Sequence, residues 1–359
     1  MHPIRTALIG LGYWGPNLLR VFSAEEGCEL AVACDRAAER IDQMKKKYPS
    51  LRYGMDAEEI FADPSIELVL IATPTSTHFD LAMRALAAGK HVFVEKPMTA
   101  TLDQAEELVR FADTQGKKLF VDHTFVFSPA VQKMQELVKE GAIGESLYFD
   151  SRRINLGLIQ KDTNALFDLA IHDLSILGSL VDLDNITNIA AHGRKHFGVQ
   201  EEDVHLHLQF RSGFHAHIHV SWLSPVKVRQ TILAGKRAMI VYDDTQPSEK
   251  IRVYDSGIEH DQTKPDPFFP KYRTGDILIP TLQNLEPLAV EAAHIVRSVR
   301  GTVPPISSGD TALKILRTLF IADALLKQTS SSSSPPWDSI SNASVMTSHS
   351  AKTSSSAIS

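Results

Sequence analysis

Residues 8–35 constrain this chain more tightly than any other stretch. Leu8-Ile9-Gly10-Leu11-Gly12-Tyr13-Trp14-Gly15 follows an apolar run over 4–9 and opens into a helix-like segment over 16–22. A second apolar run, 30–34, then ends on Asp35. This is G-x-G-x-x-G in a strand–turn–helix–strand setting, with an acid twenty residues past the third glycine. Gly10 permits the tight turn. Gly12 lets the backbone approach a pyrophosphate, whose charge sits at the helix N-terminus beside Tyr13 and Trp14. Gly15 allows close packing of helix on sheet, and the Asp35 carboxylate can accept both ribose hydroxyls of an adenosine half. The stretch is therefore read as a dinucleotide site.

A chain of 359 residues can hold two domains with sizeable cores. Hydrophobic residues make up 43% and charged residues 22%, as in globular proteins. A formal charge of −6 argues against a broad basic face for nucleic acid. No apolar run approaches the roughly eighteen residues of a membrane span. Strand one begins at Ile4, which leaves no room for a signal peptide, so a reduced, cytoplasmic setting is expected. Cys28 and Cys34 then read as small core residues rather than a disulfide or a metal pair.

Strand and helix patterns alternate through the first third. Strands are expected at 4–9, 30–34, 51–53, 68–72, 91–94 and 119–122, and helices at 16–22, 37–48, 57–61, 78–88 and 101–115. Residues 1–123 are thus an α/β domain, a doubly wound parallel sheet with helices on both faces. After a helix over 129–139 the period changes to two. Expected strands at 145–154, 187–196, 203–211, 214–222, 228–235 and 238–243 give residues 124–328 a large, mostly antiparallel open sheet. Helices are expected at 166–180, 285–299 and 310–327, the last able to pack back on the first domain. Residues 329–359, rich in Ser, Thr, Ala and Asn, are expected to be a disordered tail.

Four further motifs follow in order: Ala72-Thr73-Pro74-x-x-x-His78, Glu95-Lys96-Pro97, Asp168-x-x-x-His172-Asp173, and Glu286-Pro287-Leu288 before a helix. With the glycine motif, their order and spacing resemble the Gfo/Idh/MocA oxidoreductases, named for glucose–fructose oxidoreductase and inositol dehydrogenase. The likeness covers the whole chain up to the tail. It implies a Rossmann domain followed by an α/β domain with an open sheet, and hydride transfer between a nicotinamide cofactor and a sugar-like alcohol or ketone. It also implies that Lys96, His172 and Asp168 surround the reacting carbon. Thr73 and Pro74 would line the nicotinamide half, with Glu95 and Lys96 beyond.

The residue chemistry agrees. Glu95-Lys96-Pro97 follows a parallel strand and stands at the carboxyl edge of the sheet, where ligands bind in open α/β folds. A lysine there can hold a substrate hydroxyl oxygen and steady the charge that develops on it. Asp168 and His172 lie four apart on an expected helix and share a face. A histidine titrating near neutrality is the natural proton acceptor from an alcohol, and a carboxylate one turn away can orient it. His78 is expected to cap and pack a helix start beside the cofactor. His123, ending the last strand of the first domain, can approach nicotinamide or substrate. Asp35 would repel a 2′-phosphate and so favours NAD over NADP, although Arg36 beside it can stack on adenine or reach a phosphate.

At the substrate end, Arg152, Arg153, Asn155, Gln160 and Asn164 suit phosphate, carboxylate and sugar hydroxyls. Residues 268–274, with Lys271, Tyr272 and Arg273, can reach a diphosphate or uracil from a neighbouring subunit. These segments, with Ser221-Trp222-Leu223-Ser224-Pro225-x-Lys227-x-Arg229, resemble the branch that acts on nucleotide-linked sugars, closest to UDP-N-acetylglucosaminuronate 3-dehydrogenases. That resemblance implies a UDP-sugar oxidised at C3. An inositol, another polyol or a free sugar is the alternative substrate. A nucleotide-sensing protein without turnover is the alternative of another class, and a pure sensor has no need of Lys96, Asp168 and His172. His205, His207, His215, His217 and His219 alternate along two expected strands, and period two puts the last three on one face. This face is read as a polar outer surface packed against another subunit in a homodimer or homotetramer, with no metal.

Overall fold

The computed structural model describes residues 2–160, 163–259 and 271–331. The first domain comprises β1 (Ile4–Ile9), α1 (Gly15–Ala24), β2 (Cys28–Cys34), α2 (Ala38–Lys47), β3 (Arg52–Gly54), α3 (Glu58–Ala62), β4 (Leu68–Ile71), α4 (His78–Ala87), β5 (His91–Val94), α5 (Leu102–Thr114) and β6 (Leu119–Val121). Its sheet runs β3-β2-β1-β4-β5-β6 with every pair parallel. All four residues of β4 are buried, as a strand covered on both faces requires. Strand order reverses between β1 and β4. Their carboxyl ends therefore open the crevice in which such sheets bind ligands. Cys34 is buried, Cys28 is half-buried, and both thiols are free.

The second part of the chain comprises α6 (Pro129–Lys139), β7 (Ser146–Leu156), α7 (Ile171–Leu180), β8 (Ile186–Arg194), β9 (Asp203–Phe210), β10 (His215–Ser221), β11 (Leu223–Gly235), β12 (Met239–Asp243), β13 (Ile251–Tyr254), β14 (Gly257–Glu259), β15 (Lys271–Arg273), β16 (Ile277–Leu278), α8 (Pro287–Val299) and α9 (Gly309–Ser331). The large sheet runs β16-β13-β12-β11-β7-β10-β9-β8. Only β7 and β10 pair parallel in it. β14 and β15 form a separate ribbon. On β9 and β10 the even-numbered apolar residues, Val204, Leu206, Leu208, Ala216, Ile218 and Val220, are buried in one cluster with Ile171 and Leu174 of α7. The histidines between them face outward.

Three features differ from the sequence pattern. β11 starts at Leu223 rather than 228, because a register irregularity between Leu223 and Val228 carries the strand past Pro225. The helix expected over 166–180 opens with a five-residue π turn, Leu166–Ala170. α8, which follows the second sheet in sequence, buries Leu288, Ala292, Ile295 and Val296 against Leu18, Leu19 and Phe22 of α1 and so adds to the core of the first domain. α9 extends through Ser331 and is tied to α5 by Arg317 and Glu106 at 2.9 Å. Most of the expected tail, residues 332–359, lies outside the described residues, as do Lys161, Asp162 and residues 268–270 of the expected substrate segments. Among the described residues no helix is long and apolar enough to cross a membrane.

Candidate active site

The glycine turn is built for a close approach of ligand to backbone. Gly10 has φ +100, and a Cβ on it would fall 2.5 Å from the Ala72 carbonyl oxygen. A Cβ on Gly15 would fall 2.1 Å from the carbonyl oxygen of Gly10. A Cβ on Gly12 would meet only the end of the Arg40 side chain, Nη1 at 3.8 Å. Asp35, at the end of β2, is buried. Its carboxylate accepts hydrogen bonds from Leu11 N at 2.7 Å and Ala37 N at 2.8 Å, with Arg40 Nη1 at 3.4 Å. A cleft of about 820 Å³ runs from Gly12, Tyr13, Asp35 and Arg36 at one end to Thr73, Pro74, Glu95 and Lys96 at the other. This donor set fits a dinucleotide: bare backbone for the pyrophosphate, a carboxylate for the ribose, and the ends of β4 and β5 for the nicotinamide. NAD, when bound there, supplies a hydride acceptor. The glycine motif did not point to Arg40, which stands in the first turn of α2 and shares the wall of the cleft with Arg36.

At the nicotinamide end, Lys96 reaches across to the π turn. Its Nζ donates to the Asp168 carbonyl oxygen at 3.0 Å and lies 3.4 Å from Asp168 Oδ1. Asp168 Oδ2 accepts from Trp222 Nε1 at 3.0 Å. The carboxylate is thus clamped between Lys96 and Trp222 and orients the lysine. The sequence pattern offers this carboxylate to His172 or to a neighbouring hydroxyl. A π turn within an α-helix is a common device at functional sites. Here Lys96 docks on it through both the main chain and the side chain of Asp168. His172, the second residue of α7, sets its ring against Phe125 with centroids 5.0 Å apart and planes tilted by 55°, and its Nδ1 is buried with no protein partner. Burial holds its pKa well below the usual histidine value, and the charges of Lys96 and Arg153 push in the same direction.

A buried carboxylate group backs this pair. Asp122 accepts from Trp14 Nε1 at 2.8 Å, and Glu291 of α8 accepts from His123 N at 3.2 Å. Glu95 accepts from Lys96 N at 3.2 Å. Burial, and next to it the charge of Asp122, raise Glu95 and Glu291 well above the ordinary carboxylate value.

The remaining sequence-marked residues divide. Gln160 lies in the cleft wall beside Lys96. Arg152 does not: Ser151 and Arg153 on either side turn inward to Asp173 of α7, so Arg152 points to the exposed outer face of the sheet. Arg153 is buried, with Nε 2.8 Å and Nη2 3.2 Å from the Asp173 carboxylate and its guanidinium 4.4 Å from the Phe125 ring. It props the floor under His172 and is not available to a phosphate. Asn155 follows it on the inward face, half-buried. Asn164 is buried and engaged. It donates to Asp323 Oδ1 at 2.9 Å and Glu201 Oε2 at 3.4 Å, and accepts from Phe167 N at 3.2 Å at the head of the π turn. Lys271, Tyr272 and Arg273 lie on the β14–β15 ribbon, where Arg273 binds Asp255, and none of them lines the cleft. His78 sits with one ring nitrogen 2.8 Å from Thr73 O and the other 3.0 Å from Pro97 O, joining the ends of β4 and β5 from behind the cofactor cleft. His123 is fully buried, and both its ring nitrogens lack partners. Burial pulls its pKa down to about 4, and it stays out of the cleft. Replacing Asn164 by alanine should therefore lower stability by about 1–3 kcal/mol, because it strands buried partners. Urea unfolding reads this, while the KM for substrate should be unchanged.

Residues 4–123 match the family model described as an oxidoreductase family with an NAD-binding Rossmann fold, and residues 131–241 match the GFO/IDH/MocA C-terminal domain. The uncharacterized oxidoreductase YdgJ of Escherichia coli (strain K12) is 38% identical over 149 residues, and the match spans 41% of this chain and 42% of that relative's length. The scyllo-inositol 2-dehydrogenase (NAD(+)) of Bacillus subtilis (strain 168) is 29% identical over 239 residues, 62% of this chain and 69% of that one. The solved UDP-N-acetylglucosamine 3-dehydrogenase GnnA of Acidithiobacillus ferrooxidans is similar in fold, with a TM-score of 0.77 over 91% of this chain and 99% of that chain at 21% identity. With both halves of the chain matched and the glycine turn and Lys96 lining one cleft, this protein belongs to the Gfo/Idh/MocA oxidoreductase family.

Proposed function

We propose that this chain is an NAD-dependent dehydrogenase that oxidises a secondary alcohol on a polyhydroxylated ring, a sugar or a cyclitol. The observation that carries this reading is Lys96 in the wall of the cofactor cleft, fixed by Asp168, which stands four residues before the buried ring of His172. In this reading Lys96 Nζ holds the substrate oxygen, and His172, neutral at physiological pH, takes its proton. The inositol-acting relative supports a cyclitol, and so does the engagement of Arg153 with Asp173. One observation favours the second reading, a nucleotide-linked sugar such as a UDP-sugar oxidised at C3. Phe125, packed on His172, also walls a second cavity of about 750 Å³ that carries Thr124, Ser248, Lys250, Gln283 and Asn284. That space could take the nucleotide part.

Two measurements test the proposal. Thermal unfolding with NADH, followed by inositols, free sugars and UDP-sugars, should show a rise with NADH that one ring class enlarges. The same class should then drive NADH formation from NAD. A UDP-sugar giving the larger effect would select the second reading, and no turnover with any panel member would refute both. Cofactor choice is tested at Asp35. Asp35→Asn keeps an acceptor for Leu11 N but removes the charge that repels a 2′-phosphate, and Arg36 and Arg40 remain beside it. The NADP-to-NAD ratio of kcat/KM should rise by about tenfold or more, equivalent to about 1.4 kcal/mol.

A further inference from the structure

The outer face of the large sheet carries a cluster that the cleft does not use. Strand pairing sets His192, His205, His219 and Arg152 in one row across β8, β9, β10 and β7. His207, His217 and Asp150 form the next row. Asp203 stands two residues before His205 and therefore on the same face. An oxygen of Asp203 and one ring nitrogen each of His205 and His219 all lie within 4.8 Å of one another. Asp203 Oδ1 is 2.9 Å from His219 Nε2, and Oδ2 is 3.9 Å from His205 Nε2. The two imidazoles stack face to face, with centroids 4.1 Å apart and planes 9° apart.

A second set of contacts continues this network. His217 Nδ1 lies 3.0 Å from Asp150 Oδ2, and His217 Nε2 lies 3.3 Å from His205 Nδ1. Asp150 accepts, so His217 donates from Nδ1, and with His217 neutral its Nε2 accepts from His205. His205 then donates from Nδ1 and presents a lone pair at Nε2 toward Asp203. A lone pair and a carboxylate facing each other with no proton between them is the arrangement a cation completes. A carboxylate–imidazole chain behind a ligand is the usual means of orienting a metal-bound histidine.

We propose that Asp203, His205 and His219 bind one divalent transition-metal ion of the zinc class on the outer face of this sheet. Two imidazoles and one carboxylate are the borderline donor set that suits zinc over magnesium or calcium, and three protein ligands leave a fourth position for water. The strand register already places the three groups, so side-chain rotation alone closes them on the ion. The site is separate from the dehydrogenase cleft, because β7 turns Asp150 and Arg152 outward and Ser151 and Arg153 inward to α7. It departs from the metal-free face that the sequence alone suggested.

The test is calorimetric titration of the untagged, metal-stripped full chain with zinc chloride. His205→Ala, His219→Ala and Asp203→Asn are titrated in parallel, with His215→Ala as a control at the far end of the face. The expected result is one ion per chain, a large loss of affinity in the three ligand variants, and none in the control. Asp150→Asn, which loosens only the orienting chain, should lose about 10–100-fold. Zinc should raise the melting temperature of the parent and not that of His205→Ala. Circular dichroism checks that each variant is folded. Failure of the folded parent to bind zinc, or equal binding by parent and ligand variants, would overturn the site. NADH formation should be the same in parent and His205→Ala, so this outcome is independent of the proposed dehydrogenase activity.

Discussion

Lys96→Met should lower kcat by about 10²–10³, or about 2.7–4 kcal/mol of barrier, with NADH binding unchanged. The expectation follows from how the ammonium is held. Asp168 binds it through a backbone carbonyl and a carboxylate oxygen, and Trp222 holds that carboxylate from its other side. A lysine fixed before substrate arrives needs no reorganisation when charge develops on the substrate oxygen, which is where preorganised groups act most strongly. Methionine keeps much of the apolar stem and removes only the charged donor. Single-turnover rates and NADH thermal shifts separate the chemical step from cofactor binding. A variant that kept kcat within about threefold would sink the assignment, since a donor acting in the transition state is worth more than that. Asp168→Asn should show the same sign with a smaller effect, because the backbone carbonyl still holds the lysine.

What the sequence disclosed and what it hid follow from the range of the interactions. The glycine turn is local, so its strand, helix and acid could be read within residues 8–35, and Lys96 could be placed because a parallel strand ends just before it. The partners of Asp168 are 72 and 54 residues away, and nothing in a four-residue spacing shows that Lys96 and Trp222 outcompete His172 for the carboxylate. The period of a π turn cannot be told from that of an α-helix over five residues. Alternation in β7 requires Arg152 and Arg153 to face opposite ways, yet which one faces in depends on Asp173 from α7. A run of apolar residues at helical spacing predicted α8 but could not say which sheet it covers. Glu291 therefore reaches His123 across 168 residues with no signal in the sequence.

The other large effect belongs to His172. His172→Gln should lower the rate of alcohol oxidation by about 10²–10⁴, the range for loss of a positioned proton acceptor. Its pH behaviour distinguishes this from a packing defect. Burial first, and then the charges of Lys96 and Arg153, disfavour the imidazolium and hold the pKa well below the usual histidine value. The base is already neutral at about pH 6.5, the value of a free imidazole. The acid limb of kcat/KM should therefore be absent there and lie at lower pH. Removing a cation relieves part of that effect, so in Lys96→Met the limb should move upward, toward the free-imidazole value, even as the rate falls. A purely structural histidine would give a rate loss without any such movement. A parent profile that breaks near pH 6.5 and stays in place in Lys96→Met would show that another group takes the proton. With Lys96 and Arg153 both lowering the pKa beside burial, removal of either moves it upward.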